Sequence, residues 1–129
     1  MLTIEETQKW LRNLGKVYTI EELKNLQTLD LSYMELTYIP DLNLPNLQTL
    51  YLYDNELTII FCLNLPNLKF LSLAHNKLEK ISNLNLPNLE TLDLSHNNLT
   101  KIPVLNLPNL KTIYTNDNSF NRIEYPRLN

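Results

Sequence analysis

A constant internal period of 21 residues is the strongest constraint on how this chain folds. The units align on an Asn-Leu pair, which follows Leu-Pro at the later junctions, and no insertion interrupts the period. Five units begin at Leu26, Leu47, Leu68, Leu89 and Leu110. Because one short unit cannot bury a hydrophobic face alone, the units are expected to stack and share one core.

Apolar residues recur within each unit at positions 1, 4, 6, 11, 14, 17 and 19. Leu29 and Leu31, at positions 4 and 6 of the first unit, alternate with polar neighbours, which is typical of a short strand with one buried face. One such strand per unit, at constant spacing, predicts a parallel sheet with strands about 4.8 Å apart. Proline has no amide hydrogen and fixes φ, so the prolines of the return segments favour an extended or single-turn path over a long helix. These prolines are Pro45, Pro66, Pro87 and Pro108.

Position 9 is asparagine in four of the five units, namely Asn55, Asn76, Asn97 and Asn118. An asparagine amide has donors and an acceptor, so it can bond to the backbone of its own turn and of the next one, where the chain leaves the strand. We therefore expect a structural column of asparagines. Met34 takes this position in the first unit, where the column has no predecessor, and we interpret it as an apolar filler.

The series Leu89-x-x-Leu92-x-Leu94-x-x-Asn97-x-Leu99 resembles the consensus of leucine-rich-repeat proteins, over residues 26 to 120, and is similar to their short bacterial and intracellular classes. The resemblance implies an α/β solenoid: a right-handed superhelix with a parallel concave sheet of about five strands and a thin convex side of turns or short 3-10 segments. It also implies recognition of other proteins. Some bacterial relatives are ubiquitin ligases, but the domain that carries their nucleophilic cysteine does not appear in this sequence, so we expect no enzymatic activity and no cofactor.

The residues before the repeats predict a helical cap. Residues 4 to 14 place apolar side chains at helical spacing, between a capping box of Thr3 and Glu6 and a terminating Gly15. Trp10 is expected to cover the open core of the first repeat. We therefore expect one structural domain, with an N-terminal helical cap at residues 1–24 and five leucine-rich repeats at residues 25–129.

The fifth unit departs from the repeat pattern. Thr115 replaces the leucine of position 6, Phe120 takes position 11 and Pro126 takes position 17. We expect this unit to seal its own edge, with a partner or a second copy covering the edge as the alternative. The chain is therefore predicted to be a monomer, and homodimerisation through the C-terminal edge is left open.

Composition argues against several other classes of partner. The net charge is −3 and the eleven basic residues are scattered, so no basic face is available for nucleic acid. The first residues are acidic and polar, and no apolar run reaches membrane-spanning length, so we expect a cytoplasmic protein without a Sec-type signal and without membrane contact. Export into a host cell by another route, as a bacterial effector, stays open. Cys62 is the only cysteine, which excludes an intrachain disulfide.

Function is expected on the positions that the repeat leaves free, which on the concave strands are 3, 5 and 7, with 8 at the strand exit. Tyr51, Tyr53 and Phe70 should then lie on neighbouring strands as an exposed aromatic cluster. Such clusters are typical of binding hot spots. The alternative is cross-strand packing that only stabilises the sheet.

Position 8 carries two histidines, His75 and His96, with Asp54 and Asp117 beyond them. Imidazoles and carboxylates suit zinc, but side chains about 5 Å apart on parallel strands converge on one ion only through particular rotamers. We therefore favour a solvated ladder that contacts a partner, and we expect no metal.

The sequence thus predicts a non-catalytic module that binds a partner protein through its concave face. A hydrolase would need a nucleophile beside a base in a pocket, whereas Ser72, Ser95 and His96 are expected on an open surface. The alternative is a structural or self-assembling repeat protein, or a fragment of a larger leucine-rich-repeat protein. The residues expected to contact the partner are Tyr51, Tyr53, Asp54, Phe70, His75, Asp93, His96 and Tyr114.

Overall fold

The computed structural model describes residues 1–101 and 104–120, and two helices open the chain. Helix α1 spans Ile4–Asn13 and helix α2 spans Ile20–Asn25, and each begins with a capping box. Gly15 follows α1 with a φ of 82°, a left-handed conformation that glycine adopts at little cost at a helix end. Within the described residues, no helix has the length and apolar character needed to span a membrane.

Helix α1 packs against the first repeat. Leu11 is fully buried, and the hydroxyl oxygen of the buried Thr7 accepts a hydrogen bond from the backbone amide of Asn43 at 2.9 Å. Trp10 is half-buried against the core; its ring lies edge-on to that of Tyr38, and its Nε1 donates to the Tyr38 hydroxyl at 3.2 Å. The helix therefore covers the open N-terminal end of the repeat core.

The concave side is a parallel sheet of five three-residue strands, as the sequence predicts. The strands are β1 Thr28–Asp30, β2 Thr49–Tyr51, β5 Phe70–Ser72, β8 Thr91–Asp93 and β9 Thr112–Tyr114. They follow that order in the sheet, and each residue pairs with its equivalent one repeat away. Equal repeat length therefore fixes the register of the whole sheet.

One continuous core runs behind this sheet. The leucines at positions 4 and 6 of the first four units are at most 1% exposed, and burying each contributes about 1.5–3 kcal/mol. In the fifth unit the equivalent position-4 residue, Ile113, is 38% exposed. The expectation that this last unit seals its own edge depends partly on Pro126, which lies outside the described residues.

The return segments on the convex side are extended. Two pairs of two-residue parallel strands join the second and third units there. Strand β3 Ile59–Ile60 pairs with β6 Lys80–Ile81, and β4 Leu63–Asn64 pairs with β7 Leu84–Asn85. The short 3-10 segments that were the expected alternative to turns do not occur between residues 1 and 101 or between 104 and 120. Return segments of equal length stay in register, so their backbones can bond to each other.

The asparagines of position 9 form the expected column. In the third unit, Asn76 Oδ1 accepts from the amide of Leu57 at 3.0 Å, and Nδ2 donates to the carbonyls of Leu52 and Leu73 at 2.9 and 3.1 Å. Its bonds between units reach the preceding unit, not the next one as expected. Met34 is consistent with this direction, because no repeat precedes the first unit.

A second asparagine ladder lies at position 21, at the entrance to each strand. Each side-chain amide donates to a backbone carbonyl at 2.6–2.7 Å. The acceptor lies in the preceding unit, except for the first member, which donates to Lys24 in helix α2. The members of the ladder are Asn46, Asn67, Asn88 and Asn109. The sequence analysis used these residues only to align the units, although their constancy was a signal of this role.

Candidate functional site

The concave face ends at a row of residues in an unusual backbone conformation. All five position-8 residues have positive φ, between 55° and 59°. Aspartate, asparagine and histidine are enriched in this left-handed region. The row consists of Tyr33, Asp54, His75, His96 and Asp117. The repeated Asp and His at this position therefore have a conformational explanation that the sequence analysis missed.

Four aromatic rings form a continuous row across the first three strands. Tyr33 contacts Tyr53, with ring centroids 5.1 Å apart; Tyr53 contacts Tyr51 at 6.4 Å; and Tyr51 contacts Phe70 at 5.5 Å. We call these four residues the aromatic stripe. Tyr33 is 68% exposed and the other three are half-buried. The stripe is therefore both packed against itself and open to solvent.

Carboxylates lie around the stripe. A side-chain hydrogen bond with Tyr33 raises the pKa of Tyr53, and the negative charges of Asp30 and Asp54 act in the same direction. The backbone amide of Ser32 donates to Asp30 Oδ1 at 2.9 Å, and this bond lowers the pKa of Asp30. Asp30 therefore stays ionised next to the tyrosines at neutral pH.

The two histidines of position 8 stack on each other. The rings of His75 and His96 are 4.1 Å apart and inclined by 10°, and His96 Nε2 lies 3.2 Å from Asp117 Oδ2. Nearly parallel rings direct their nitrogen lone pairs in parallel planes, so this arrangement does not converge on one ion. In the part of the chain that the structure describes, no group of three or more His, Cys, Asp or Glu side chains is placed to hold a metal.

The serines of this face differ from the expectation of an open surface. Ser72 and Ser95 are buried, at 5% and 7% exposure, because their short side chains lie below the longer ones beside them on the concave face. The Ser95 hydroxyl donates to Asn116 Oδ1 at 2.8 Å, while His96 faces Asp117. Ser95 therefore makes its hydrogen bond to an amide and not to a base.

These side chains line an open groove of about 390 Å³ along the middle of the concave face. Its walls combine the aromatic rings of the second and third units with the polar groups of the third to fifth. The lining residues are Tyr51, Tyr53, Phe70, Ser72, Ala74, His75, Asp93, Ser95, His96 and Asn116.

A comparison with known protein families matches the chain to the family described as "Leucine Rich repeats (2 copies)", over residues 24–62, 45–86, 66–98 and 87–125. The chain belongs to the leucine-rich-repeat family. Leucine-rich repeats generally mediate protein–protein interaction, and the family is typically non-catalytic. No curated protein and no solved structure matches this chain significantly.

The leucine-rich repeats bring together six of the eight residues that the sequence predicts to contact a partner. Tyr51, Tyr53, Phe70, His75, Asp93 and His96 line the groove. Asp54 is exposed at the exit of β2, next to the groove, and Tyr114 is half-exposed on β9, away from the aromatic stripe. Tyr33 was not predicted as a contact residue, and the structure places it at one end of the stripe.

Proposed function

We propose that this chain is a non-catalytic recognition module that binds a partner protein on the concave face of its leucine-rich repeats. The observation that carries the proposal is the aromatic stripe, a run of four touching rings on a face that the fold leaves in water. Tyrosine is enriched among the residues that dominate binding energy at protein interfaces. A bacterial effector acting inside a host cell is one setting for such a module, and it would use the same face.

The scaffold supports this role because it holds the stripe rigidly. Tyr51 and Phe70 lie on strands that are paired in register on both sides, and their neighbours Leu50 and Leu71 on those strands are fully buried. A binding surface that is ordered before the encounter loses less conformational entropy on association. Catalysis has no comparable support, since Ser95 bonds to Asn116 and not to His96.

The proposal is tested by affinity capture from cell lysate with three forms of the chain. One is the wild type, the second carries Tyr51→Ser, Tyr53→Ser and Phe70→Ser, and the third is a matched control. The control removes three exposed apolar side chains away from the concave face by Val17→Ser, Phe61→Ser and Val104→Ser. Circular dichroism first establishes that all three forms fold.

We expect at least one protein to be retained by the wild type and by the control but lost from the concave-face variant. Titration of that purified protein should reproduce the difference. Retention by all three forms would place the interface elsewhere, and the absence of any specifically retained protein would count against a recognition role.

Self-association is a second candidate function, favoured by one observation. Ile113 on the last strand is 38% exposed, whereas the equivalent leucines of the first four units are at most 1% exposed. An exposed strand edge with an apolar residue can pair with another copy. Light scattering over a range of concentrations tests this. Self-association would be established if the molar mass of the wild type rises with concentration while that of the Ile113→Lys variant stays at the monomer value.

A further inference from the structure

We infer that the partner segment seated on the concave face is basic and presents arginine side chains to the aromatic stripe. This inference rests on the proposed function and specifies the chemistry of the partner. It follows from the charge of the face, from the position of its carboxylates and from the geometry of the rings.

The outward-facing positions of the strands carry charge of one sign. Positions 3, 5, 7 and 8 of the five units include no lysine or arginine, although the chain has eleven such residues. The acidic residues at these positions are Asp30, Asp54, Asp93 and Asp117. The net charge of the whole chain is only −3, but these positions of the concave face carry four aspartates and no lysine or arginine.

Three of these carboxylates, two beside the stripe and one in the groove, have no cationic partner at ion-pair distance in the described part of the chain. Asp117 faces His96, whereas Asp30, Asp54 and Asp93 form no ion pair there. Lys16 acts on Asp30 only through space. The face is consequently complementary to positive charge, which a binding partner can supply.

The carboxylates are positioned beside the rings. Asp30 pairs in register with Tyr51 across β1 and β2, and Asp54 follows Tyr53 directly in the chain. Asp30 and Asp93 each accept a backbone amide through Oδ1, from Ser32 and Ser95. These bonds hold the carboxylates in place through one oxygen each.

Arginine fits this combination better than other side chains do. Its planar guanidinium stacks on aromatic faces and donates two parallel hydrogen bonds to a carboxylate, whereas lysine offers a compact charge without that plane. An acidic segment or a nucleic acid would meet like charge on the same face. An aromatic stripe bordered by aspartates therefore favours a basic partner.

The test uses random dodecapeptides displayed on phage as probes. They are selected on the wild-type chain and counter-selected on the Tyr51→Ser, Tyr53→Ser, Phe70→Ser variant, so that only binders that depend on the stripe survive. The best peptide is then titrated against two further variants. One neutralises the face by Asp30→Asn, Asp54→Asn and Asp93→Asn, and asparagine retains the oxygen that accepts the turn amide.

The matched control changes net charge equally by Glu5→Gln, Glu21→Gln and Glu79→Gln, three exposed residues outside the strand positions of the concave face. We expect arginine-rich peptides whose affinity falls at least about tenfold on neutralising the face and stays within about twofold in the control. Raising the salt concentration should weaken binding to the wild type more than to the neutralised variant.

Each other outcome overturns a defined part of the inference. Stripe-dependent peptides that are neutral or acidic would refute the basic partner and leave the proposed function intact. Enrichment of lysine without arginine would refute the guanidinium, and equal affinity for the neutralised variant would refute the role of the carboxylates. If no selected peptide depends on the stripe, both the inference and the proposed function fail.

Discussion

The two faces of the concave sheet are built from the same short strands but follow opposite rules. The inner face packs on the core: its positions 4 and 6 are leucine in each of the first four units and are almost completely buried. The outer face is the concave surface of the solenoid, and there position 5 changes from Asp30 to Tyr51 to Ser72 along neighbouring strands. Identity on one face and variation on the other support the proposal that stability and recognition are assigned to alternate residues of one strand.

This separation predicts which substitutions change stability and which change binding. Residues that bond or pack between units should carry the stability of the solenoid, because each unit depends on its neighbours. Residues that only project from the concave face should carry specificity. Position 8 lies between these classes, since its side chains are exposed while its backbone is held at positive φ.

The largest expected effect is at the centre of the inner face. Leu71→Ala should reduce the free energy of unfolding by about 2–5 kcal/mol, because Leu71 is fully buried between two units that cannot collapse into the cavity. Urea titration followed by circular dichroism measures this loss. A loss below about 1 kcal/mol would contradict the packing that distinguishes the two faces.

The asparagine column should come next. Asn76→Ala removes the side chain that joins the amide of Leu57 to the carbonyls of Leu52 and Leu73. Each carbonyl keeps a second asparagine side chain as a donor, but the buried amide of Leu57 is left without an acceptor. We expect a loss of about 1–3 kcal/mol in the same urea titration.

The control for Asn76 is Asn67→Ala in the ladder at the strand entrance. Asn67 is exposed and donates a single hydrogen bond, to the carbonyl of Pro45, which water can replace. We expect a loss of about 0.5–1.5 kcal/mol there. Equal losses at both sites would mean that burial does not distinguish the two ladders.

The inner face could be predicted from the sequence almost completely, whereas the outer face could be predicted only in part. A constant period fixes the sheet register, so the proximity of Tyr51 to Phe70 followed from the alignment alone. The contact of Tyr33 with Tyr53 did not, because it occurs where the chain turns through the left-handed conformation at position 8. The Asp and His residues at that position indicated such a turn, but they were interpreted only by their chemistry.

The convex side shows a second limit of the period. Equal spacing permits either 3-10 turns or extended segments, and the choice depends on backbone bonds between neighbouring units. Those bonds form between β3 and β6 and between β4 and β7, whose sequences differ at Ile59 and Lys80. A repeated length can therefore place such segments side by side without specifying their local conformation.

A smaller effect is expected at position 8, where conformation and function can be separated. His75→Val places a β-branched residue at a φ of 55° and should cost about 1–2 kcal/mol in urea titration. His75→Asn suits the same conformation and should leave stability within about 0.5 kcal/mol of the wild type. If the asparagine variant is as unstable as the valine variant, the stacking of His75 on His96 is the stabilising interaction, and the conformational explanation is wrong.

The smallest effect on stability is expected on the outer face, at the centre of the aromatic stripe. Tyr53 is half-buried and contacts only the rings of Tyr33 and Tyr51 among the described aromatic side chains, so Tyr53→Ala should lower stability by no more than about 1 kcal/mol. Binding of the captured partner protein should nevertheless weaken at least about tenfold. Tyr53→Phe is the matched control, because it retains the ring and removes only the hydroxyl that bonds to Tyr33. If Tyr53→Ala lowers the free energy of unfolding as much as Leu71→Ala does, the stripe belongs to the scaffold. The separation of stability and binding between the two faces is then refuted.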